Sequence, residues 1–246
     1  MKKQGVLGEK MKVEKGVKWL IGIDEVGRGP LAGPVGVALC AIPFEKSIAH
    51  SYKGLLKEHA GEMKSAGLAY IVGKDSKKIK SSVREGWFKF FSKIHSDRDS
   101  RGCAYFAYAS KSAKDIDEKG ISFCIKSSIE KLLADACKKL GVTEGECLLL
   151  LDGSLKAPVR FANQMTIIKG DEKELVISFA SIFAKVTRDV YMKKLSKKTE
   201  FSAYGFDVHK GYGTAKHRSL IRKLGLSGEH RGTYCSASVR LVDNSI

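Results

Sequence analysis

Apolar and polar positions along the chain switch between two periods. Residues 19–23 are apolar in succession and read as a buried strand, which closes on Asp24-Glu25. Gly27-Arg28-Gly29-Pro30 through Gly33-Pro34 is punctuated as a loop. Residues 35–41 predict a second strand, 83–94 a helix and 103–109 a third strand. Helix-period apolar positions fill 121–140 and stop before Gly141. Residues 147–151 are continuously apolar, as in a strand buried on both faces, and Asp152 follows directly. Residues 165–168 predict one more strand.

The clearest helix covers 175–195. At roughly 100° per residue, Leu175, Val176, Phe179, Ile182, Phe183, Val186 and Val190 fall within an arc of about 120°. Ser178, Ser181, Lys185 and Arg188 are expected on a separate, polar side. Beyond residue 200 the chain is glycine-punctuated and basic from Tyr204 to Arg231. Alternating strands and helices predict an α/β class with a mixed sheet.

A chain of 246 residues suits one large domain with an appendage. The expected division is a flexible basic lead at 1–17, a core at 18–200 and a C-terminal segment at 201–246. Lys and Arg number 44 against 27 Asp and Glu, a formal charge of +17 spread well beyond one tail. Such a surplus points to a polyanionic partner, nucleic acid above all. No run approaches the roughly 18 apolar residues of a membrane span. The Lys-rich start lacks the apolar stretch of a signal peptide. Six cysteines lie scattered without CxxC or Cys/His spacing, so buried thiols in a reducing compartment are expected. The predicted location is cytoplasmic.

Asp24-Glu25, Asp152 and Asp171 each sit where a strand ends or a helix is about to begin. Carboxylates converging at such an edge repel one another, and hard divalent cations such as Mg²⁺ or Mn²⁺ relieve that repulsion. Singly, Asp152 before Gly153 also suits a turn, and Asp171 after Gly170 suits a helix cap. Two adjacent acids closing an apolar run are harder to explain without a bound cation.

The segment from Asp24 to Pro34, DEVGRGPLAGP, resembles the DEAGRGPLAGPV motif of the ribonuclease HII family, with Val26 in place of the commoner Ala. Lys74-Asp75-Ser76-Lys77 is similar to the family's KDSK element, although KIK replaces the usual QLS after it. Leu151-Asp152-Gly153 and Lys169-Gly170-Asp171 resemble the elements carrying the third and fourth carboxylates. The run from Ala180 to Asp189 resembles ASIxAKVxRD, that from His209 to His217 resembles HKGYGTxxH, and His230-Arg231 the late HR pair. Ser178-Phe179 and Gly232-Thr233-Tyr234 depart from the family's small residues and Ser-Phe. The elements recur in the family's order from residue 24 to about 231.

The resemblance implies a ribonuclease H-like fold: a five-stranded mixed sheet flanked by helices, then a helical C-terminal segment that contacts substrate. It implies metal ligation by Asp24, Glu25, Asp152 and Asp171, with two Mg²⁺ or Mn²⁺ ions when substrate is bound. The implied substrates are RNA/DNA hybrids and duplex DNA containing ribonucleotides, cut to leave 5′-phosphate and 3′-hydroxyl ends. Gly27, Arg28 and Gly29 would sense the 2′-hydroxyl, and Tyr212 would stack on the following sugar. Asp75, Ser76, Lys77, Ser181, Lys185 and Lys210 complete the implied nucleic-acid contacts. His209 and His217 would support the substrate loop. A monomer with no obligate protein partner is expected. A non-catalytic nucleic-acid-binding protein would account for the charge but not the four edge carboxylates. A DNA-cutting enzyme of the same fold would be told apart by cleavage of an all-DNA duplex.

Overall fold

The computed structural model describes residues 16–44, 79–96 and 104–239. The Lys74–Lys77 element and nearly all of the basic lead lie outside these residues. Five strands form one mixed sheet in the order β3-β2-β1-β4-β5. They are β1 (Trp19–Val26), β2 (Val35–Pro43), β3 (Tyr105–Lys111), β4 (Cys147–Asp152) and β5 (Gln164–Ile167). The described helices are α1 (Ser81–Ser96), α2 (Ala113–Lys119), α3 (Ile121–Leu140), α4 (Gly170–Lys173), α5 (Leu175–Leu195), α6 (Phe206–His209), α7 (Ala215–Leu224) and α8 (Gly232–Val239).

The α/β class, the mixed five-stranded sheet and the helical C-terminal segment agree with expectation. Helices α3 and α5 occupy the predicted spans. β3 and β5 shift by one or two residues. Ile168 is excluded from β5 because it is 72% exposed, so its apolar side chain marks a turn and not the sheet.

The described residues fall into two compact units. The first draws on Met1–Asp24, Val37–Ala109 and Ile129–Val186. Here β1 and β4 run parallel, as do β4 and β5. All of Cys147–Leu151 is buried, which accounts for its unbroken apolar sequence. Against it pack Val176, Phe179 and Ile182 of α5 and a cluster of rings, with Trp87 5.5 Å from Phe179 and Phe91 4.6 Å from Phe106. The second unit draws on Glu25–Gly36, Ser110–Ser128 and Thr187–Ile246. Its core gathers Ala32, Met192, Leu195, Tyr204 and Phe206.

The expected polar side of α5 is corrected: Ser178, Ser181 and Arg188 are buried, whereas Val190 is exposed. This helix is enclosed around most of its circumference for its first four turns, so its polar residues are taken out of water: Arg188 binds main-chain carbonyls, while the Ser178 hydroxyl is buried without a hydrogen-bond partner.

In the first unit, β1 and α5 approach so closely that a side chain at Gly22 would fall on the backbone of Val176 and Ile177. Main chain cannot rotate away as a side-chain tip can. Gly22→Ala is therefore expected to cost at least about 3 kcal/mol, read as a lower urea midpoint or as loss of soluble protein.

Candidate active site

Parallel pairing brings the acids to one edge. β1 and β4 are in register through Ile23 and Leu151, so Asp24, within β1, and Asp152, at the end of β4, each one residue further on, stand at the same level of neighbouring strands. Asp152 in turn pairs with Ile167 of β5. Lys169, in the left-handed region at φ 55°, turns the chain from β5 into α4. The Gly170 N–H then donates to Asp152 Oδ1 at 2.6 Å, which carries Asp171, in the first turn of α4, to the same edge. Asp24 is buried, and Asp152 and Asp171 are half-buried. Among the described residues no three His, Cys, Asp or Glu side chains are gathered closely enough to hold a metal ion. The three acids stand along one rim of the sheet. Glu25, the next residue of β1, belongs to the second unit and pairs with Arg28 at 3.3 Å.

The loop from Gly27 to Pro34 has its carbonyl oxygens bound by two fully buried arginines. Arg188 donates to Pro34 O (2.9 Å), Ala32 O (3.1 Å) and Lys210 O (2.9 Å). Arg231 donates to Gly33 O (2.9 and 3.0 Å), Arg28 O (3.0 Å) and Gly27 O (2.6 Å). Burial, with Arg188 nearby, brings the Arg231 guanidinium down to about 10, so it stays charged at neutral pH. Gly27, at φ 81°, leaves space that a side chain would take from Arg188 and Pro34 O. Gly29, by contrast, is exposed, and a Cβ there would meet nothing within 4 Å among the described residues. The loop is thus gripped from one side and open at Arg28 and Gly29. Arg231 is itself set by Asp117, whose carboxylate accepts from Gly232 N (2.7 Å) and Thr233 N (3.1 Å) at the start of α8.

Lys210 is left-handed at φ 52° and Gly211 follows at φ 82°, and the sharp turn lifts Tyr212. That ring is 38% exposed, with the Arg188 guanidinium carbon 5.9 Å from its centroid. Gly211 O accepts from Leu31 N (2.8 Å) and Ala32 N (3.3 Å), which ties this turn to the glycine-rich loop. Lys185 of α5 is half-buried and Ser181 buried. Asp75, Ser76 and Lys77 lie outside the described residues.

Three buried imidazoles, His209, His217 and His230, surround the Phe206 ring. Burial holds His209 below its ordinary value and brings His217 and His230 down to about 4. Arg188, Arg231 and His230 were not read from the sequence as site-forming residues. The signal available was positional: a charge inside a strongly apolar helix, and an HR pair in a glycine-rich tail.

A mixed five-stranded sheet with acids at the ends of parallel strands defines a protein of ribonuclease H architecture. Among solved structures, the ribonuclease H2 of Pyrococcus horikoshii OT3 matches with a TM-score of 0.55 at 23% identity, covering 92% of this chain and 100% of that one. The Bst-RNase HIII solved with Mn²⁺ matches with a TM-score of 0.57 at 18% identity, covering 92% and 71%. The family model for Ribonuclease HII matches residues 21–236. The Ribonuclease HII of Shouchella clausii (strain KSM-K16) is 35% identical over 222 residues, 90% of this chain and 70% of that protein. The chain belongs to the ribonuclease HII family, the type 2 ribonucleases H, which are hydrolytic nucleases.

Two outcomes follow for stability. Arg231→Met leaves three carbonyls without their donor and is expected to lower unfolding free energy by about 3–5 kcal/mol, measurable by urea titration. The imidazoles act through pH. Their folded values lie below the unfolded 6.5, so the unfolded chain binds more protons between about pH 6.5 and 4. Their contribution is complete above pH 6.5 and is lost as pH falls towards 4. The urea midpoint of His230→Gln should fall less steeply over that interval than that of the parent protein.

Proposed function

We propose that this protein is a metal-dependent endoribonuclease that hydrolyses the RNA strand of RNA/DNA hybrids and cuts on the 5′ side of ribonucleotides embedded in duplex DNA. The observation that carries this reading is the shared rim of Asp24, Asp152 and Asp171, built by strand register and by the Gly170–Asp152 hydrogen bond. Their oxygens, with those of Glu25, are hard donors and suit Mg²⁺ or Mn²⁺. Bound there, a pair of such ions supplies Lewis-acid activation of water and charge stabilisation for the departing 3′-oxygen. The protein's own part is to hold the carboxylates on rigid strand ends and to orient the substrate.

Orientation falls to the second unit's loop and turn. The open backbone at Arg28 and Gly29 admits a ribose, whose 2′-hydroxyl distinguishes RNA from DNA. The part-exposed Tyr212 ring offers a stacking face for the next sugar, and Lys210 a cation for phosphate. On α5, Lys185 carries the more exposed phosphate contact, with the hydroxyl of Ser181 one turn before it. The +17 surplus supplies the long-range attraction to a polyanion. The protein acts as a monomer in this reading.

The test is cleavage of a hybrid and of a duplex with one ribonucleotide, with product ends mapped. Asp24→Asn should lower kcat/KM by at least about a thousandfold while hybrid affinity stays within a few-fold. Full activity after EDTA treatment, or 2′,3′-cyclic phosphate ends, would refute the mechanism.

A further inference from the structure

The stretch from His209 to His230 contains a hydrogen-bonded chain whose proton positions are dictated by backbone donors. A main-chain N–H only donates, so each imidazole nitrogen facing one must be the bare nitrogen. Ser227 N donates to His230 Nδ1 at 2.9 Å, leaving the proton of His230 on Nε2. That nitrogen lies 3.0 Å from His217 Nε2, which must therefore accept. The proton of His217 is left on Nδ1, 3.0 Å from the carbonyl oxygen of Tyr212. His209 follows the same logic beside them: Gly211 N donates to its Nδ1 at 3.2 Å, and its Nε2–H donates to Tyr204 O at 2.7 Å. His217 is held independently, because its own N–H donates to the Thr214 hydroxyl that caps α7.

We propose that His217 and His230 are positioning residues: a proton-ordered relay from the Ser227 turn to the Tyr212 carbonyl that sets where the Tyr212 ring meets the substrate. This rests on the reading of Tyr212 as the ring that stacks on the sugar after the ribonucleotide. The relay works because one proton arrangement satisfies every member, whereas the reverse keeps the bond between the two imidazoles but sets N–H against N–H at Ser227 and a lone pair against the Tyr212 carbonyl. Moving the proton of His217 alone to Nε2 would set two N–H groups against each other at one end and a lone pair against the Tyr212 carbonyl at the other. The Tyr212 carbonyl also accepts from Thr214 N at 2.8 Å, so both its lone pairs are fixed. A ring anchored through its own carbonyl on one side and lying over Arg188 has little freedom to follow a misplaced sugar.

The first measurement needs no variant. ¹⁵N NMR of the intact protein at neutral pH should report the Nδ1–H form for His217 and the Nε2–H form for His209 and His230. An Nε2–H form for His217 overturns the relay. The second measurement is junction preference, the ratio of kcat/KM on a one-ribonucleotide duplex to that on a long hybrid. His217→Gln places its amide where Nε2 stood, with the amide oxygen accepting from His230, and abandons the Tyr212 carbonyl, so the ratio should fall about five- to tenfold. His217→Asn, whose amide nitrogen stands near Nδ1, should restore most of it. In a Tyr212→Ala background, His217→Gln should change the ratio no further. An equal loss on both substrates makes His217 purely structural and overturns the proposal. If Tyr212→Ala lowers the ratio and His217→Gln does not, the relay fails while the reading of Tyr212 survives. If Tyr212→Ala leaves the ratio unchanged, both fall together.

Discussion

A loop that belongs to neither helix nor sheet must still find donors for its buried carbonyl oxygens, and in the second unit this requirement is met by two guanidinium groups. Arg188 and Arg231 are fully buried, and each directs its fork of N–H groups at main-chain oxygens between Gly27 and Pro34. A planar cation with five donors can bind several carbonyls at once, which a lysine cannot. The carbonyl dipoles, for their part, replace the water that each charge has lost. Arg188 adds two further contacts, with the Lys210 carbonyl and the Tyr212 ring. The glycine-rich loop and the aromatic turn are therefore set by the same side chain.

The first unit uses a different economy of means. Its acids need no clamp, because the parallel register of β1, β4 and β5 already brings strand ends to a common level. Burial of the strands from both faces makes that level rigid, and the close seat of α5 on Gly22 fixes the middle of β1. What these elements provide is negative charge at fixed backbone positions, with Asp152 held further by the Gly170 N–H.

Much of this was legible in the sequence, and what was not has a common cause. The unbroken apolar run before Asp152 and the helical period of α5 depend on local pattern alone, and both elements form where that pattern places them. The polar side assigned to α5 failed because angular position on a helix says nothing of what faces it. Two of the carbonyls that bind Arg188 belong to residues more than 150 positions before it. Val190, within the apolar arc, has outlasted the core that the arc was meant to face. Motif resemblance pointed to four carboxylates, Tyr212 and the histidines, and the structure gathers His209, His217 and His230 around the Phe206 ring. It did not disclose that His230 and Arg231 face different tasks, one towards Tyr212 through His217 and the other towards the Gly27 loop.

The arginine grip also has a consequence in time. Gly27 and Arg231 are 204 residues apart in the chain yet share a hydrogen bond. At a synthesis rate of about 5–20 residues per second, on the order of 10–40 s separates the appearance of the loop from that of its last donor. During that interval the strand carrying Asp24 and its neighbours can pair, while the Gly27–Pro34 carbonyls remain with water. The nascent chain thus acquires its carboxylate rim before the segment read here as sensing the ribose. The Gly27–Pro34 carbonyls are among the last groups to gain their protein donors, when Arg231 emerges and reaches them.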